Sequence, residues 1–231
     1  MIKSIRGKLT ERFARKIVRA VRADSLTFLE PEALLDLFTT IRDYERQHQP
    51  GVLLEAGCAA GGSAIVMAAA KSKDRRLYVY DVFGMIPPPS DKDESDVHKR
   101  YSVIRAGDAE GIGGRKYYGY EKDLLSKVKE NFKRHELPVQ QNAVQLIQGL
   151  FGDTLHVTEP VLLAHIDGDW YESVLVCLQR IEPMLVPGGA LVIDDYFAWS
   201  GCRKAVDEFF ADKRDRFDFV QKSRLHIVRK P

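Results

Sequence analysis

Long apolar runs are missing from this chain. No stretch of about 18 consecutive apolar residues occurs, so no helix is expected to span a membrane. The N-terminus is basic, yet it lacks the apolar core and small-residue cleavage site of a secretory signal, and none is expected. Cysteine is scarce: Cys58, Cys177 and Cys202 are odd in number and show no Cys-x-x-Cys spacing. That pattern disfavours a disulfide framework and favours reduced thiols in a cytoplasmic protein. Internal repeats and low-complexity segments are absent. Aromatic residues do not interleave with the N-terminal basic ones, so no single-stranded nucleic-acid surface is expected.

What remains is the composition of an ordinary globular protein. Its 231 residues suit one α/β domain, with at most a small appendage. Charge is nearly balanced overall but unevenly placed. Residues 1–23 hold eight Lys and Arg against one Glu, a net of +7, whereas the remainder holds 27 basic and 32 acidic residues, a net of −5. Ile2, Ile5, Leu9, Phe13, Ile17 and Val21 recur at three and four, predicting a basic amphipathic helix over residues 2–22. Such a helix can lie on an anionic membrane surface, bind a polyanion or a second subunit, or pack its apolar stripe on its own domain. We expect residues 1–24 to form this helix and 25–231 the main domain, with a dimer or larger assembly of identical chains.

Along the main domain, Pro31 suits the first turn of a helix running to about Gln47, where Gln49-Pro50-Gly51 ends it. Val52-Leu53-Leu54 reads as a first strand leading into Glu55-Ala56-Gly57-Cys58-Ala59-Ala60-Gly61-Gly62-Ser63. A glycine-rich turn between strand and helix lets a ligand approach the backbone beside free N–H groups of the helix start. Ala59 occupies the middle glycine position of a dinucleotide turn, and the carboxylate of Glu55 is a poor neighbour for a pyrophosphate. Glu55 suits instead the ammonium of an amino-acid-like ligand. Asp81 ends the second strand, Leu77-Tyr78-Val79-Tyr80, about 20 positions beyond the turn, where an acidic side chain can bind ribose hydroxyls. Residues 84–120 show no strong periodicity beyond a short helix around Asp93–Ile104. An insertion this long after a strand reads as a lid over the site. His98 within it is expected to be solvated rather than catalytic.

The densest chemistry lies between His165 and Asp195. Asp167 and Asp169 follow the apolar run Val161-Leu162-Leu163-Ala164, and Asp194 and Asp195 follow Ala190-Leu191-Val192-Ile193. Between them, Ser173 to Leu185 has helical spacing and Pro187-Gly188-Gly189 reads as a turn. Strand, helix and strand make a right-handed crossover unit, which brings both pairs to one sheet edge, where α/β folds bind ligands. Two unit charges about 4 Å apart repel by roughly 4 kcal/mol at an effective dielectric near 20. A cluster of this kind calls for a cation, a shared proton or solvent, and all-oxygen ligands suit a hard divalent ion. A plainer alternative is that Asp167 and Asp194 only cap strand ends.

His165-Ile-Asp-Gly-Asp169 with Tyr171-Glu172-Ser173, Pro187-Gly-Gly, Ile193-Asp-Asp195-Tyr196 and Gly149-x-Phe151-x-Asp153-Thr-Leu155 carry a specific resemblance. Over about residues 26–228 the chain resembles the macrocin and mycinamicin (TylF/MycF/NovP) type of sugar O-methyltransferase. The resemblance implies a Rossmann-like class I methyltransferase fold: a mostly parallel seven-stranded sheet of order 3-2-1-4-5-7-6, its last strand antiparallel, with helices on both faces. It implies S-adenosylmethionine (SAM) held by Glu55, Gly57, Ala59, Gly61, Ser63 and Asp81, with Gly149 and Phe151 near the adenine. It implies Mg²⁺, or another hard divalent ion, on Asp167, Asp194 and Asp195. Asp169 is then the general base, a role Asp167 could share, and the acceptor is a sugar or glycoside hydroxyl. A non-sugar diol or catechol acceptor, and a non-catalytic SAM-fold binding protein, stay open as alternatives.

Overall fold

The computed structural model describes residues 2–231, with side chains from residue 9 onward. The side chains of Ile2 and Ile5, and of Lys3, Arg6 and Lys8, therefore lie outside the described part. Seven strands form one sheet: β1 (Val52–Ala56), β2 (Leu77–Asp81), β3 (Val144–Gln148), β4 (Val161–Ile166), β5 (Leu185–Ile193), β6 (Phe217–Gln221) and β7 (Leu225–Arg229). Their order is β3-β2-β1-β4-β5-β7-β6, as expected. Every neighbouring pair is parallel except the two that β7 makes, with β5 and β6. The helices are α1 (Ile2–Ala23), α2 (Pro31–Arg46), α3 (Gly62–Ala70), α4 (Ser95–Ala106), α5 (Leu124–Arg134), the single turn α6 (Phe151–Thr154), α7 (Tyr171–Ile181) and α8 (Ser200–Phe209).

Burial on both faces explains why the central strands read as continuous apolar runs. All of β1 and β4 is buried, and side chains alternate between two cores. Leu53, Leu77, Val79 and Leu163 share one with α1, α2, α3 and α5. Leu54, Ala56, Ala164 and Ile193 share the other with α7 and α8. The second half of α1 joins the first core through Ala14, Ile17, Val18 and Val21, whereas Leu9 is 61% exposed and Phe13, 49% exposed, meets that core only at its edge, its ring centroid 6.1 Å from that of Phe38.

Two expectations change. The crossover helix ends at Ile181, followed by a 3-10 turn over Glu182–Met184. Pro187-Gly188-Gly189 is no turn between elements but lies inside β5. There the pairing with β4 slips, Leu185 facing Val161 and Ala190 facing Leu163. Gly188 takes the left-handed φ of +76°. A Cβ on Gly189 would lie 2.9 Å from the carbonyl oxygens of Leu162 and Val186. Glycine thus permits a bulge that lets the strand stay paired, and Tyr44 Oη donates to Gly188 O at 2.9 Å. From sequence, a bulge of this kind carries the same glycine signal as a turn.

The insertion after β2 folds over the C-terminal edge of the sheet. Its short helix is α4, and Val97, Ile104, Ala109 and Tyr117 form a small apolar cluster of their own with Trp170. His98 is exposed, as expected.

Candidate active site

Gly57, directly after β1, packs against the backbone of Asp167, directly after β4. With φ +87°, its missing Cβ would lie 1.9 Å from the carbonyl oxygen of Asp167. Its N–H donates to Tyr80 O at 2.8 Å, and Asp167 N donates to Ala56 O at 2.8 Å. The turn continues through Ala59 (φ +47°) to Gly61 (φ +91°), the residue before α3. We expect Gly57→Ala to cost about 3 kcal/mol or more, because backbone rather than a flexible side chain must move. Gly152→Ala, with nothing within 4 Å of the added carbon, is its control in urea unfolding and should be close to neutral.

Asp81 is buried, and backbone groups satisfy it. Its Oδ2 accepts from Cys58 N at 2.8 Å and Ala59 N at 3.3 Å, and its Oδ1 from Phe83 N at 2.6 Å. It thus shapes the glycine turn as well as lining the cavity beside it. Glu55 sits differently from the expectation. It lies within β1 with no exposure, it is absent from the cavity walls, and its Oε1 meets His165 Nδ1 at 3.1 Å. Its alternation within the strand turns it from the cavity toward the neighbouring strand.

From Glu55 a polar chain crosses the sheet edge. His165 Nε2 is 3.6 Å from Asp194 Oδ1. Arg224 Nε donates to the same oxygen at 2.7 Å and its Nη2 to Glu30 at 2.7 Å. Burial alone would raise the Asp194 carboxyl, but His165 and Arg224 overcome it and hold Asp194 below the usual range. Burial opposes the charged form of His165, while Asp194 and Glu55 push it up to about 9.

Asp167, Asp194 and Asp195 each offer a carboxylate oxygen within 4.8 Å of the others. Among the described residues, Asp167 and Asp195 have no cationic partner. Burial, then the neighbouring carboxylates, pushes both well above the usual range. A divalent cation fits here: two carboxylates carry uncompensated repulsion, the third is kept ionised, and all donors are oxygens. Asp169, in the left-handed region at φ +53°, adjoins the cluster, its N–H donating to Asp195 Oδ2 at 3.3 Å. Burial and then Asp194 raise it to about 6, against the pull of Trp199 and Arg100.

Two cavities meet at these aspartates. One, of about 270 Å³, runs from Gly57, Ala59 and Asp81 past Phe151 to Asp167 and Asp169. The other, of about 240 Å³, holds Ser63, Asp194 and Asp195 and shares Ala59, Tyr118, Asp167, Asp169 and Trp170 with the first. Gly149, at φ +147°, lies just before α6, which presents Phe151 to the first cavity. Gly61 serves by geometry, capping α3, rather than by lining either cavity. Residues that sequence reasoning did not single out complete the second cavity: Trp170, Trp199, Arg100 and the half-exposed Phe28, beside Tyr117 of the insertion. The tryptophans carried a signal in their positions, each directly before a helix that follows an aspartate pair.

A parallel sheet with one reversed strand and a glycine turn beside an acidic edge defines a class I methyltransferase fold. The macrocin O-methyltransferase (TylF) family model matches residues 14–219. The chain belongs to that family, and SAM-dependent O-methyl transfer is its activity. It is 28% identical over 209 residues to demethyldecarbamoylnovobiocin O-methyltransferase of Streptomyces niveus, covering 86% of this chain and 71% of that enzyme. It is 34% identical over 166 residues to the Streptomyces olivaceus 8-demethyl-8-(2,3-dimethoxy-alpha-L-rhamnosyl)-tetracenomycin-C 4'-O-methyltransferase, covering 69% of this chain and 58% of that enzyme. Among solved structures, the O-methyltransferase NovP superposes with a TM-score of 0.76 at 22% identity over 99% of both chains, which bears on the fold.

Proposed function

We propose that the chain transfers a methyl group from SAM to a hydroxyl of a sugar or glycosylated small molecule, assisted by a divalent cation, Mg²⁺ or a similar hard ion. The observation that carries this reading is the convergence of Asp167, Asp194 and Asp195 within 4.8 Å, at the junction of a cofactor cavity and a second cavity. The rhamnosyl group in the name of the Streptomyces olivaceus relative supports a sugar acceptor.

In this reading Asp167, Asp194 and Asp195 hold the cation, which when bound supplies Lewis acidity that lowers the pKa of a nearby hydroxyl. The turn Gly57–Ser63 with Asp81 and Phe151 positions SAM, and Gly149 lets the chain turn there. Glu55 does not touch that cavity; it acts on Asp194 through His165. The acceptor oxygen attacks the methyl carbon, the carbon–sulfur bond breaks, S-adenosylhomocysteine (SAH) departs, and Asp169 takes the hydroxyl proton. Trp170, Trp199 and the lid (84–120) exclude water and align oxygen, methyl and sulfur, the largest share of the acceleration. Division into a basic helix (1–24) and a catalytic domain (25–231) belongs to the same proposal, as does a cytoplasmic setting, consistent with three buried free thiols. Leu9 and Phe13, exposed beside Arg12, Arg15 and Lys16, are the surface through which a second copy or a weakly held anionic membrane would engage α1.

Labelled SAM offered with a panel of glycosides and catechols, with Mg²⁺ and with chelator, tests this function. Methylation of glycosides only when the cation is present is the expected outcome. Transfer to catechols alone would replace the sugar by a diol, and SAM binding without transfer to any acceptor would favour a binding protein.

A further inference from the structure

We infer that Asp93 and Asp96 are positioning residues of the acceptor cavity: reaching out of the lid, they cap α7 and α8 and so hold the Trp170–Trp199 wall in place. Trp170 and Trp199 are the residues directly before α7 and α8, and neither supplies a side-chain cap to its helix. The first N–H groups of a helix need partners. Both helices take theirs from the lid. Asp93 Oδ1 accepts from Tyr171 N at 2.8 Å, while its Oδ2 accepts from Ser90 N at 2.9 Å and Ser90 Oγ at 3.1 Å. Asp96 accepts from Ser200 N at 3.1 Å and from Ser200 Oγ at 2.6 Å. Carboxylates at helix N-termini make strong, charge-assisted caps.

The packing around Asp93 is specific to this contact. Gly201 in α8 leaves the space that Asp93 occupies, since a Cβ there would lie 2.0 Å from Asp93 Oδ1. The lid also holds the indole itself, Trp170 Nε1 donating to Pro87 O at 3.0 Å. The two indoles meet edge to face, centroids 5.7 Å apart. Both line the cavity that holds Asp169, and α4, which begins at Ser95, brings Arg100 and Ile104 to the same cavity. One pair of carboxylates therefore ties the lid to both tryptophans of the pocket wall. Neither Asp93 nor Asp96 lines the second cavity, so each acts on it through the tryptophan it positions, although Asp93 also lines the first cavity.

The inference rests on reading that cavity as the acceptor site, yet its test needs no acceptor, so the two can fail separately. Trp170 and Trp199 are the only tryptophans in the chain, so intrinsic emission reports this wall alone. In the full-length protein, Asp93→Ala and Asp96→Ala should red-shift that emission and raise acrylamide quenching severalfold. Amide exchange at Tyr171 and Ser200 should accelerate while the β4 amides stay protected. Asp96→Asn, whose amide oxygen can accept Ser200 N–H while its NH2 donates to Ser200 Oγ, should restore most of the native signal, and Asp93→Asn, whose oxygen can accept Tyr171 N–H but whose NH2 faces Ser90 N–H, should restore part of it. Gly201→Ala should act like Asp93→Ala. Unchanged emission and exchange in the alanine variants would overturn the inference, as would asparagine variants no better than alanine. If Asp93→Ala fails to fold, Asp96→Ala and the asparagine pair decide.

Discussion

Replacing Asp195 by alanine is expected to lower methyl transfer by about a thousandfold, and stripping divalent ions with EDTA should do the same to the native protein. Among the described residues neither the buried Asp195 nor the half-buried Asp167 has a cation of its own, and desolvation followed by neighbouring charge holds both well above their usual range. In the metal-free protein they repel. Asp195→Ala therefore removes catalysis while leaving stability equal or higher, a combination that ordinary structural damage does not give. Titrating Mg²⁺ into the native protein should raise its melting temperature and restore turnover, and neither should respond in Asp195→Ala. Full turnover with EDTA, or in Asp195→Ala, removes the cation from the reaction.

The sign of the pH dependence follows from the same groups. A carboxyl whose folded pKa is raised binds more protons folded than unfolded, so metal-free stability should rise as pH falls from 8 through the folded-state values of Asp167, Asp195 and Asp169, the last about 6. His165, raised to about 9, works in the same direction: its contribution is complete below the unfolded value and is lost as pH rises through 9. Asp194, held low, contributes only above the ordinary carboxylate range, so the gain reverses in stronger acid. Bound Mg²⁺ should flatten the rise by favouring the ionised cluster. Thermal melts from pH 4 to 9, with and without Mg²⁺, read all of this.

Glu55→Ala should destabilise the protein by about 3–5 kcal/mol, the cost of leaving a buried charge without its partner. In a chain of this size that lowers the melting temperature by about 10 °C. Glu55 and His165 have no exposure, and Glu55 Oε1 is the partner of His165 Nδ1 at 3.1 Å. The loss should be largest near pH 6, where His165 is charged, and should shrink above pH 9. Glu55→Gln keeps an acceptor oxygen and should cost about 1–2 kcal/mol. The result also decides between two roles. A carboxylate that bound the SAM ammonium would lose cofactor affinity in Glu55→Gln with stability nearly intact. The buried pairing predicts the reverse: lower stability, and unchanged SAM affinity in whatever protein remains folded.

Much of the fold could be read directly because burial writes itself into residue type. Val161–Ala164 and Ala190–Ile193 are apolar without alternation since both faces of their strands are covered, and the carboxylates beyond them mark where the sheet ends. The strand order came through the resemblance carried by the motifs around Asp167 and Asp195. Less legible were features whose local signal has two meanings. Pro187-Gly188-Gly189 spells a turn, but the pairing available on β4 makes it a bulge. Glu55 beside a glycine turn suggests a ligand contact, but one step of strand alternation turns it toward His165. The lid shows no period because its partners, the starts of α7 and α8, are distant in sequence.

The sequence by itself determined the alternation of strands and helices, the glycine turn and the placing of four aspartates at one edge, since each depends on residues within a few positions or on one crossover. Tertiary structure alone decided how those aspartates differ. Asp194 is held ionised by His165 and Arg224, Asp167 and Asp195 are raised by burial and the surrounding carboxylates, and Asp169 is raised by burial and Asp194 against the pull of Trp199 and Arg100. The physical reason is that a carboxylate's state depends on burial and on charges brought near it by other strands and by the lid, which local sequence spacing does not encode.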